Sequence, residues 1–403
     1  MKKFLLALAG ITTAAVLFYF LKLNQFYQRI YTPIANKQKN NKVKLDKTQF
    51  SILLLGYAGS NYAGTYLTDT MIVMHFDSKK KQALMISLPR DLWLKLPTKS
   101  GADFHAKANT IYETELFPNT FPDLDTKIAG SISDAELTKY ILSQITGLEI
   151  DNYITIDFAS FTKAVDIIGG VDINVLKTFT DEKYPSEGKE NDLCGKEEDF
   201  KKIEPYLNGI DATGSAEKEK LLQEQPALEE FLRNATESPH LAFPCRYERI
   251  HFASGQQHMD GATALKFSRS RQSLQDGGDF ARARRQQQLL EAVKEKVFSV
   301  GFIAKLPALL DEMEKYVKTD IAPDQIQRFL KEASSAKEYS LTSLVLSDQN
   351  VLKATRSENG QFILIPDKGM DDWIPVQRFI KNTIDGSTPT PTPTPGKKSI
   401  PAN

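Results

Sequence analysis

Five arginines and three consecutive glutamines lie close together in this chain and could bind an anion between them. They are Arg269, Arg271, Arg282, Arg284 and Arg285, followed by Gln286-Gln287-Gln288. A guanidinium is always charged, and its rigid donor fork fits two phosphate oxygens at once. If Asp279 begins a helix, Arg282 and then Arg285 or Gln286 follow on one face. The leucines and valines after them make this helix core-facing, so we expect some arginines to line a cleft; a solvated basic helix is the alternative.

Three short motifs outside this stretch supply other residues that phosphate chemistry uses. Asp69 begins an apolar strand, where a carboxylate can bind Mg²⁺ together with water and phosphate oxygens. Arg90 and Asp91 follow a strand that ends at Pro89, so Arg90 can bind an anion and Asp91 can orient it. Lys107 lies at a predicted helix start. Each motif taken alone is also an ordinary turn or surface pair, but together they suit a pyrophosphate, whose developing charge cations neutralise.

The composition excludes several classes of protein and active site. Lysine plus arginine and aspartate plus glutamate each total 51, so the net charge is zero. That balance argues against nucleic-acid binding by bulk electrostatics, although not against a local anion site. The sequence contains no Walker-type glycine loop, no Gly-x-Ser-x-Gly elbow and no His-Glu-x-x-His. Its histidines are scattered and offer no triad by spacing.

Strand-like and helix-like segments alternate along the middle of the chain, which predicts an α/β fold with a mixed sheet. Apolar runs predict strands at 52–55, 71–76, 83–88, 153–158, 171–175 and 247–252, with candidate edge strands at 343–347 and 362–365. Helices are predicted at 134–146, 161–168, 260–267, 279–299 and 303–316, with weaker ones at 221–232 and 323–335. Ser133 is a candidate N-cap, and Gly147 and Gly169 are expected to end helices.

Both ends of the chain differ from its folded part. Residues 4–21 carry no charge and, at about 1.5 Å per residue, are long enough to span a bilayer core. No small-residue cleavage site follows them, so we expect an uncleaved single-pass anchor, with residues 1–3 inside the cell and the domain outside it. Residues 22–47 are a polar tether. Residues 387–403 include a strict Thr-Pro alternation and are expected to form a disordered, extended tail.

A polar segment interrupts the folded domain, which we place at residues 48–300. Residues 181–240 are rich in Glu and Lys and predict an inserted lid or surface excursion, while residues 301–386 are expected to pack on the domain as helices and strands. Cys194 and Cys245 flank the insertion, and in an exported protein such a pair predicts a disulfide. Two unrelated thiols are the alternative. A zinc site is not expected, because no histidine lies at ligand spacing.

The order and spacing of these motifs resemble the LytR-CpsA-Psr family of bacterial cell-envelope proteins. The resemblance covers about residues 50–298. Its landmarks are Ser51-Ile52-Leu53-Leu54-Leu55-Gly56, Thr68-Asp69-Thr70, Ser87-Leu88-Pro89-Arg90-Asp91, Lys107-Ala108-Asn109, Asp157-Phe158, Gly169-Gly170-Val171-Asp172, His258-Met259-Asp260-Gly261, Ala264-Leu265, Arg269-Ser270-Arg271, Asp279-Phe280-Ala281-Arg282 and Arg285-Gln286-Gln287.

The resemblance implies a fold, an activity and roles for residues. The expected fold is a three-layer α/β/α sandwich whose apolar interior holds a prenyl tail. The expected activity is that of a membrane-anchored phosphotransferase, which moves a glycopolymer from a polyprenyl-pyrophosphate carrier to peptidoglycan or another envelope acceptor. Asp69 would bind Mg²⁺, and Asp91 and Asp279 would position the arginines. The implied pyrophosphate ligands are Arg90, Lys107, Arg269, Arg271, Arg282, Arg285 and Gln286.

Two positions depart from the family's usual pattern. Ala58 stands where the family commonly has an Asp, and Leu67 stands where it commonly has an Arg two residues before the metal-binding Asp. One Mg²⁺ carboxylate is therefore missing. Asp91 or a backbone carbonyl is the candidate substitute, and weaker Mg²⁺ binding or loss of activity are the alternatives. Two other functions stay open at this point: a protein that binds prenyl-pyrophosphate lipid without turnover, and a pyrophosphate hydrolase in which water replaces the glycan acceptor.

Overall fold

A computed structural model describes most of the chain between Lys47 and Ser387. The described ranges are 47–59, 65–126, 134–207, 216–297, 317–321 and 338–387, with the single positions Leu21, Lys22, Asn24, Gln25, Lys305, Ala308, Leu309, Asp311 and Gln325. The predicted anchor, tether and tail and the helices predicted at 303–316 and 323–335 lie wholly or largely outside these ranges. Within them, none of the helices combines the length and apolarity that crossing a bilayer would need.

The strands lie mainly where apolar runs predicted them. They are β1 (Gln49–Tyr57), β2 (Thr68–Asp77), β3 (Gln82–Ser87), β4 (Trp93–Leu96), β5 (Phe104–Lys107), β6 (Asn152–Asp157), β7 (Val171–Val175), β8 (Phe179–Pro185), β9 (Tyr247–Phe252), β10 (Gly255–Met259), β11 (Lys318–Thr319), β12 (Ser340–Val345), β13 (Leu352–Arg356) and β14 (Phe362–Pro366). Six of them form a central sheet in the order β11-β6-β1-β2-β3-β12. The β1–β6 and β3–β12 pairs are parallel and the others antiparallel, which confirms a mixed α/β fold.

The helices flank this sheet and fill the insertion. They are α1 (Ile111–Leu116), α2 (Glu136–Thr146), α3 (Phe158–Ile168), α4 (Glu197–Ile203), α5 (Ala216–Glu224), α6 (Pro226–Glu237), α7 (Pro239–Ala242), α8 (Gly261–Arg269), α9 (Asp279–Val297) and α10 (Ile374–Ile384). Gly147 and Gly169 end α2 and α3 in the left-handed conformation, as expected. Helix α3 begins three residues before its predicted start, because Asp157 accepts a hydrogen bond from Ser160 N at 2.8 Å and caps it.

The start of α2 differs from the prediction. Ser133 lies outside the described residues, and the residue at the N-cap position is Ala135, whose φ is +68°. Instead, the carboxylate of Glu115, on α1, accepts hydrogen bonds from Leu137 N at 2.7 Å and Thr138 N at 3.1 Å. A side chain distant in sequence thus replaces the local cap, which the sequence pattern around Ser133 could not indicate.

Two large apolar clusters hold the domain together. Alternate residues of β1, such as Leu53 and Leu55, pack with α2 and α10 in the first cluster. The second joins α3, α8 and α9 to the β7–β10 ribbon. Burial of this much aliphatic and aromatic surface is the main stabilising contribution to the fold.

The insertion has its own small core and a covalent bond at its base. It leaves the domain after β8 and returns at β9, which pair with each other. Ile203, Leu228, Phe231 and Phe243 pack together inside it. The predicted disulfide is present, joining Cys194 to Cys245 over a sequence separation of 51 residues.

Candidate anion-binding cleft

Asp69 lies at an irregularity between two central strands. Gly56 pairs with Thr70 and Tyr57 pairs with Thr68, so Asp69 is the extra residue of a bulge in β2. A bulge redirects the side chain of the unpaired residue and is frequent beside functional sites. Gly56, opposite Thr70, suits this close approach, because a Cβ there would lie 3.0 Å from the Cβ of Thr70. Strand β1 extends past the predicted 52–55 as far as Tyr57.

Three guanidiniums surround the carboxylate at the first turn of α9. Asp279 Oδ1 lies 2.9 Å from Arg282 Nη2, 3.8 Å from Arg271 Nη1 and 3.9 Å from Arg90 Nε. Asp69 Oδ1 accepts a hydrogen bond from Arg90 Nη1 at 3.0 Å and lies 4.0 Å from Arg282 Nη1. The two carboxylates thus hold arginines that come from three separate segments of the chain, and the expected positioning role of Asp279 has a clear geometric basis.

Burial and charge shift the pKa values of this cluster in different directions. Burial alone would lower the pKa of Arg90, but the attraction of Asp279, Asp69 and Asp91 outweighs it and raises that pKa. Burial lowers the pKa of Arg282, and repulsion from Arg90 and Arg271 adds to the effect against the attraction of Asp279 and Asp69. The pKa of Asp279 is lowered, because these cations overcome the opposing effect of its burial. Burial thus disfavours the charge of Arg282, whereas the neighbouring carboxylates favour the charge of Arg90.

Arg269 enters from the last residue of α8 and is held by aromatic rings. Its guanidinium carbon lies 4.4 Å from the ring centre of Phe158, and Nη1 donates a long hydrogen bond of 3.5 Å to the hydroxyl of Tyr184. A guanidinium stacked on a ring keeps its edge donors available to a ligand. Arg269 therefore forms one wall of the cleft and the Asp279 cluster forms another.

Two adjoining cavities connect these side chains. The larger, with a volume of about 290 Å³, is lined by Asp69, Arg90, Arg269, Arg271, Arg282 and Gln286, among others. The smaller, of about 20 Å³, has room for roughly one water molecule. It shares several of these residues and also has six apolar ones, namely Met71, Leu88, Pro89, Phe280, Ala283 and Val345. A charged cleft therefore adjoins a small recess with several apolar side chains.

Three of the predicted site residues are not among those that line either cavity. Arg285, with a side chain only 2% exposed, donates to Phe267 O at 3.0 Å, to Ser270 O, and to both the backbone and the carboxylate of Asp276. Its guanidinium is directed into the protein, so its position favours a supporting role over the predicted ligand role. Burial lowers its pKa to about 10.

Asp91 and Lys107 bind each other at the edge of the cluster. Lys107 Nζ donates to Asp91 Oδ1 at 2.7 Å, and Asp91 Oδ2 lies 3.5 Å from Arg90 Nε. Both carboxylate oxygens of Asp91 thus face cations, and its side chain is only 8% exposed. This arrangement fits the expected positioning role of Asp91. It does not fit the candidate use of Asp91 as a substitute metal ligand.

Asp69 is the carboxylate of the cleft that would hold a magnesium ion, since Asp279 and Asp181 are already engaged by arginines and by backbone N–H groups. Asp69 borders both cavities and is 28% exposed on its side chain. Ala58 is buried against Phe158 and Leu265, so no acidic group replaces the missing one at that position. Across the described ranges, the three potential metal ligands found close together are Asp192, Cys194 and Cys245, and both cysteines are disulfide-bonded. Magnesium commonly uses one or two carboxylates with water and phosphate oxygens, so a fit through Asp69 is possible in chemical terms.

The structure adds cleft residues that the sequence interpretation missed. Lys183, Tyr184, Tyr247 and Gln272 line the larger cavity together with the buried Asp181. Three of them lie on β8, which the sequence pattern assigned to the start of the insertion, and Tyr247 begins β9. Strand β8 shows no apolar–polar alternation that could have indicated it, and only the pairing of β8 with β9 brings these residues to the cleft.

Comparison with known proteins matches residues 17–369 to the LytR_cpsA_psr family. The chain is 24% identical over 286 residues to the polyisoprenyl-teichoic acid–peptidoglycan teichoic acid transferase TagV of Bacillus subtilis, covering 70% of this chain and 52% of that protein. It is 22% identical over 340 residues to a TagU of the same description from Oceanobacillus iheyensis, covering 83% and 80%. The crystal structure of B. subtilis TagV has a TM-score of 0.51 at 21% identity, covering 86% of this chain and 100% of that one. The chain thus spans about half the length of the TagV sequence it matches, and the structural likeness shows the fold alone.

Proposed function

Because this chain belongs to the LytR_cpsA_psr family, we propose that it is a phosphotransferase that moves a glycopolymer from a polyprenyl-pyrophosphate carrier to peptidoglycan or another cell-envelope acceptor. The observation that carries the proposal is the convergence of Arg90, Arg269, Arg271 and Arg282 with Asp69 on one cleft. The relatives named as teichoic acid transferases to peptidoglycan support the classes of donor and acceptor.

The reaction is an in-line displacement at phosphorus. An acceptor hydroxyl oxygen attacks the phosphorus that bears the glycan, and the bond from that phosphorus to the bridging oxygen breaks. Polyprenyl monophosphate leaves with the bridging oxygen, the glycan becomes joined through a phosphodiester, and the hydroxyl proton is released to water in the open cleft. The arginines neutralise the charge that develops on the leaving phosphate, and Asp279 holds three of them in place before the substrate arrives.

The cofactor, lipid and location belong to the same proposal. Asp69 would hold Mg²⁺, which would neutralise phosphate oxygens when bound. The prenyl chain would approach beside Arg90 and Arg282, where six apolar side chains line a recess of about 20 Å³ that would have to widen to admit it. The complete protein would be a three-layer α/β/α domain attached by a single membrane-spanning helix at 4–21 and facing outside the cell. The Cys194–Cys245 disulfide suits that oxidising location.

Incubation of the full-length protein in detergent with Mg²⁺, a lipid-pyrophosphate-linked oligosaccharide and peptidoglycan tests this proposal. Glycan joined covalently to peptidoglycan is the expected product. Release of free phosphorylated glycan would instead identify a hydrolase. Bound but unaltered lipid would identify a binding protein, the function that the replacement at Ala58 would favour.

Two substitutions test whether the arginines carry the reaction. Arg269→Ala and Arg282→Ala should each abolish transfer while the circular dichroism spectrum stays that of the parent protein, because each removes a guanidinium from the cleft and neither residue belongs to a strand. Normal transfer by both variants would exclude these arginines from the mechanism and with them the proposed chemistry.

A further inference from the structure

The buried carboxylate of Asp181 connects two segments of the cleft. One is the turn that carries Arg269 and Arg271, and the other is strand β8, which carries Tyr184. Asp181, on β8, is 1% exposed and lies at the lining of the larger cavity. Its Oδ2 accepts hydrogen bonds from Ser270 Oγ at 2.8 Å, Arg271 N at 3.1 Å and Gln272 N at 3.0 Å. Its Oδ1 accepts one from Lys183 N at 3.0 Å. All four partners are donors, so the site is built for an ionised carboxylate.

The first segment is the turn that follows α8. The helix ends at Arg269, and Ser270 adopts an extended conformation with ψ of 138°. The N–H groups of Arg271 and Gln272 have therefore left the helical hydrogen-bond pattern and need other acceptors, which Asp181 supplies. On the opposite side of the same turn, Arg285 donates to Ser270 O and to Phe267 O. The carboxylate of Asp181 therefore accepts from the N–H groups of this turn, and the guanidinium of Arg285 donates to its carbonyl groups. Together they fix the turn between Arg269 and Arg271.

The second segment is a bulge in β8. Asp181 pairs with Ile250 and Tyr184 pairs with Glu248, so two residues of β8, Glu182 and Lys183, lie opposite one residue of β9. The displaced N–H of Lys183 is the one that donates to Asp181. The bulge sets the direction of Tyr184, whose hydroxyl accepts the hydrogen bond from the Arg269 side chain. One carboxylate therefore fixes both the arginine turn and the strand that leads into the insertion.

We infer that Asp181 is a positioning residue of the anion site: it holds the guanidiniums of Arg269 and Arg271 and the ring of Tyr184 at the spacing that a diphosphate requires. The choice of a diphosphate as the ligand rests on the proposed function. Asp181 does not itself contact the anion, whose charge it would repel. Its effect passes through the backbone of the turn and of the bulge, so its loss should weaken anion binding more than it weakens the fold.

Substitution Asp181→Asn tests the inference with little change in volume. An amide has one acceptor oxygen, so its NH₂ group must face N–H or O–H donors on one of the two sides. Isothermal titration of the full-length protein in detergent with inorganic pyrophosphate should give a Kd about tenfold higher than that of the parent, as expected when buried hydrogen bonds of this kind are lost. In the transfer assay, the KM for the lipid-linked donor should rise, and kcat should fall because the arginines no longer meet the leaving phosphate.

Asp320→Asn is the matched control. The Asp320 side chain is equally buried and accepts hydrogen bonds from Tyr153 N and Lys139, but it lies by the start of β6, at the other end of that strand from the cleft. We expect this variant to lower the melting temperature without changing the Kd for pyrophosphate. If Asp320→Asn raised the Kd as much as Asp181→Asn, the effect would be general destabilisation and the inference would be wrong.

Ser270→Ala covers the case in which Asp181→Asn does not fold. It removes one of the four hydrogen bonds and should raise the Kd by about threefold. Unchanged pyrophosphate affinity in folded Asp181→Asn, or in Ser270→Ala where the first variant fails to fold, overturns the inference. So does absence of pyrophosphate binding by the parent protein. If the parent binds pyrophosphate but transfers no glycan, the proposed function fails, while the Kd comparison still decides the role of Asp181.

Discussion

The loss of one guanidinium should separate anion affinity from stability in this cleft. Arg282 is 6% exposed, lies 2.9 Å from Asp279 and lines both cavities. Arg282→Met keeps an unbranched apolar stem and removes the charged fork. A fork that donates two charge-assisted hydrogen bonds to phosphate contributes about 3 kcal/mol net, which is roughly a hundredfold in Kd. We therefore expect the pyrophosphate Kd to rise by about that factor.

The effect of the same substitution on folding should be smaller. An uncompensated buried carboxylate costs roughly 3–5 kcal/mol. Asp279 keeps Arg271 at 3.8 Å and Arg90 at 3.9 Å when Arg282 is lost, so its charge stays compensated. Burial already lowers the pKa of Arg282, which means that the folded state disfavours its charge. The free energy of unfolding should therefore fall by less than that range.

The assay is isothermal titration with pyrophosphate, paired with urea unfolding followed by circular dichroism. Arg284→Met is the matched control: Arg284 lies two residues along the same helix, its side chain is 43% exposed, and its partner is Asp276 at 3.3 Å. The control should keep its Kd within about twofold, as expected for an exposed ion pair. A folded Arg282→Met protein with parental pyrophosphate affinity would show that the anion does not bind at this cluster and would refute the reasoning.

Three further predictions concern acidity, the disulfide and the metal. Burial raises the pKa of Glu115 from 4.5 to about 7, so its neutral carboxyl stabilises the folded state fully below pH 4.5. This contribution is lost as the pH rises through 7. In urea titrations the free energy of unfolding should fall by roughly 3 kcal/mol over this range, and Glu115→Gln should show no such fall. The Cys194–Cys245 bond closes a loop of 51 residues, so the double serine variant should lose up to about 4 kcal/mol of local stability, seen as faster proteolysis within the insertion. If Asp69 holds Mg²⁺, Asp69→Asn should make pyrophosphate affinity insensitive to EDTA, whereas the parent should bind more weakly once the metal is removed.

The sequence predicted the central strands and the arginine helix because local patterns determine them. Continuous apolar runs at 52–55 and 83–88 became β1 and β3, and Asp279 does begin α9. The helical period correctly predicted that Arg282 faces the cleft. It could not show whether Arg285 or Gln286, three and four positions later, also faces the cleft. Gln286 lines the cleft, whereas Arg285 donates to Phe267 O within α8 and to Ser270 O just after it. A difference of 100° around the helix separates these two positions, and tertiary contacts alone decide which of them faces the ligand.

The missed residues share a different cause. Asp181 and Tyr184 lie next to a polar insertion, so composition assigned them to it rather than to the domain. Their role depends on contacts with Ser270 and Arg271, 89 and 90 residues further along the chain. A periodic pattern of apolar residues indicates local structure and cannot indicate such a pairing. The pairing of β-strands across an insertion is a long-range contact that a single sequence leaves undetermined.

The geometry of Asp69 and Arg90 links anion binding to cation binding. In the structure, Asp69 Oδ1 accepts a hydrogen bond from Arg90 Nη1 at 3.0 Å, so the carboxylate proposed to hold the metal is engaged by a guanidinium proposed to hold the substrate. A phosphate that takes the donors of Arg90 leaves the oxygen of Asp69 available to Mg²⁺, which the same phosphate can also coordinate. Each ligand should therefore strengthen the binding of the other by the same factor. With Ala58 in place of a second carboxylate, the proposed metal would depend on this coupling, because Asp69 would be the one aspartate holding it together with the substrate phosphate.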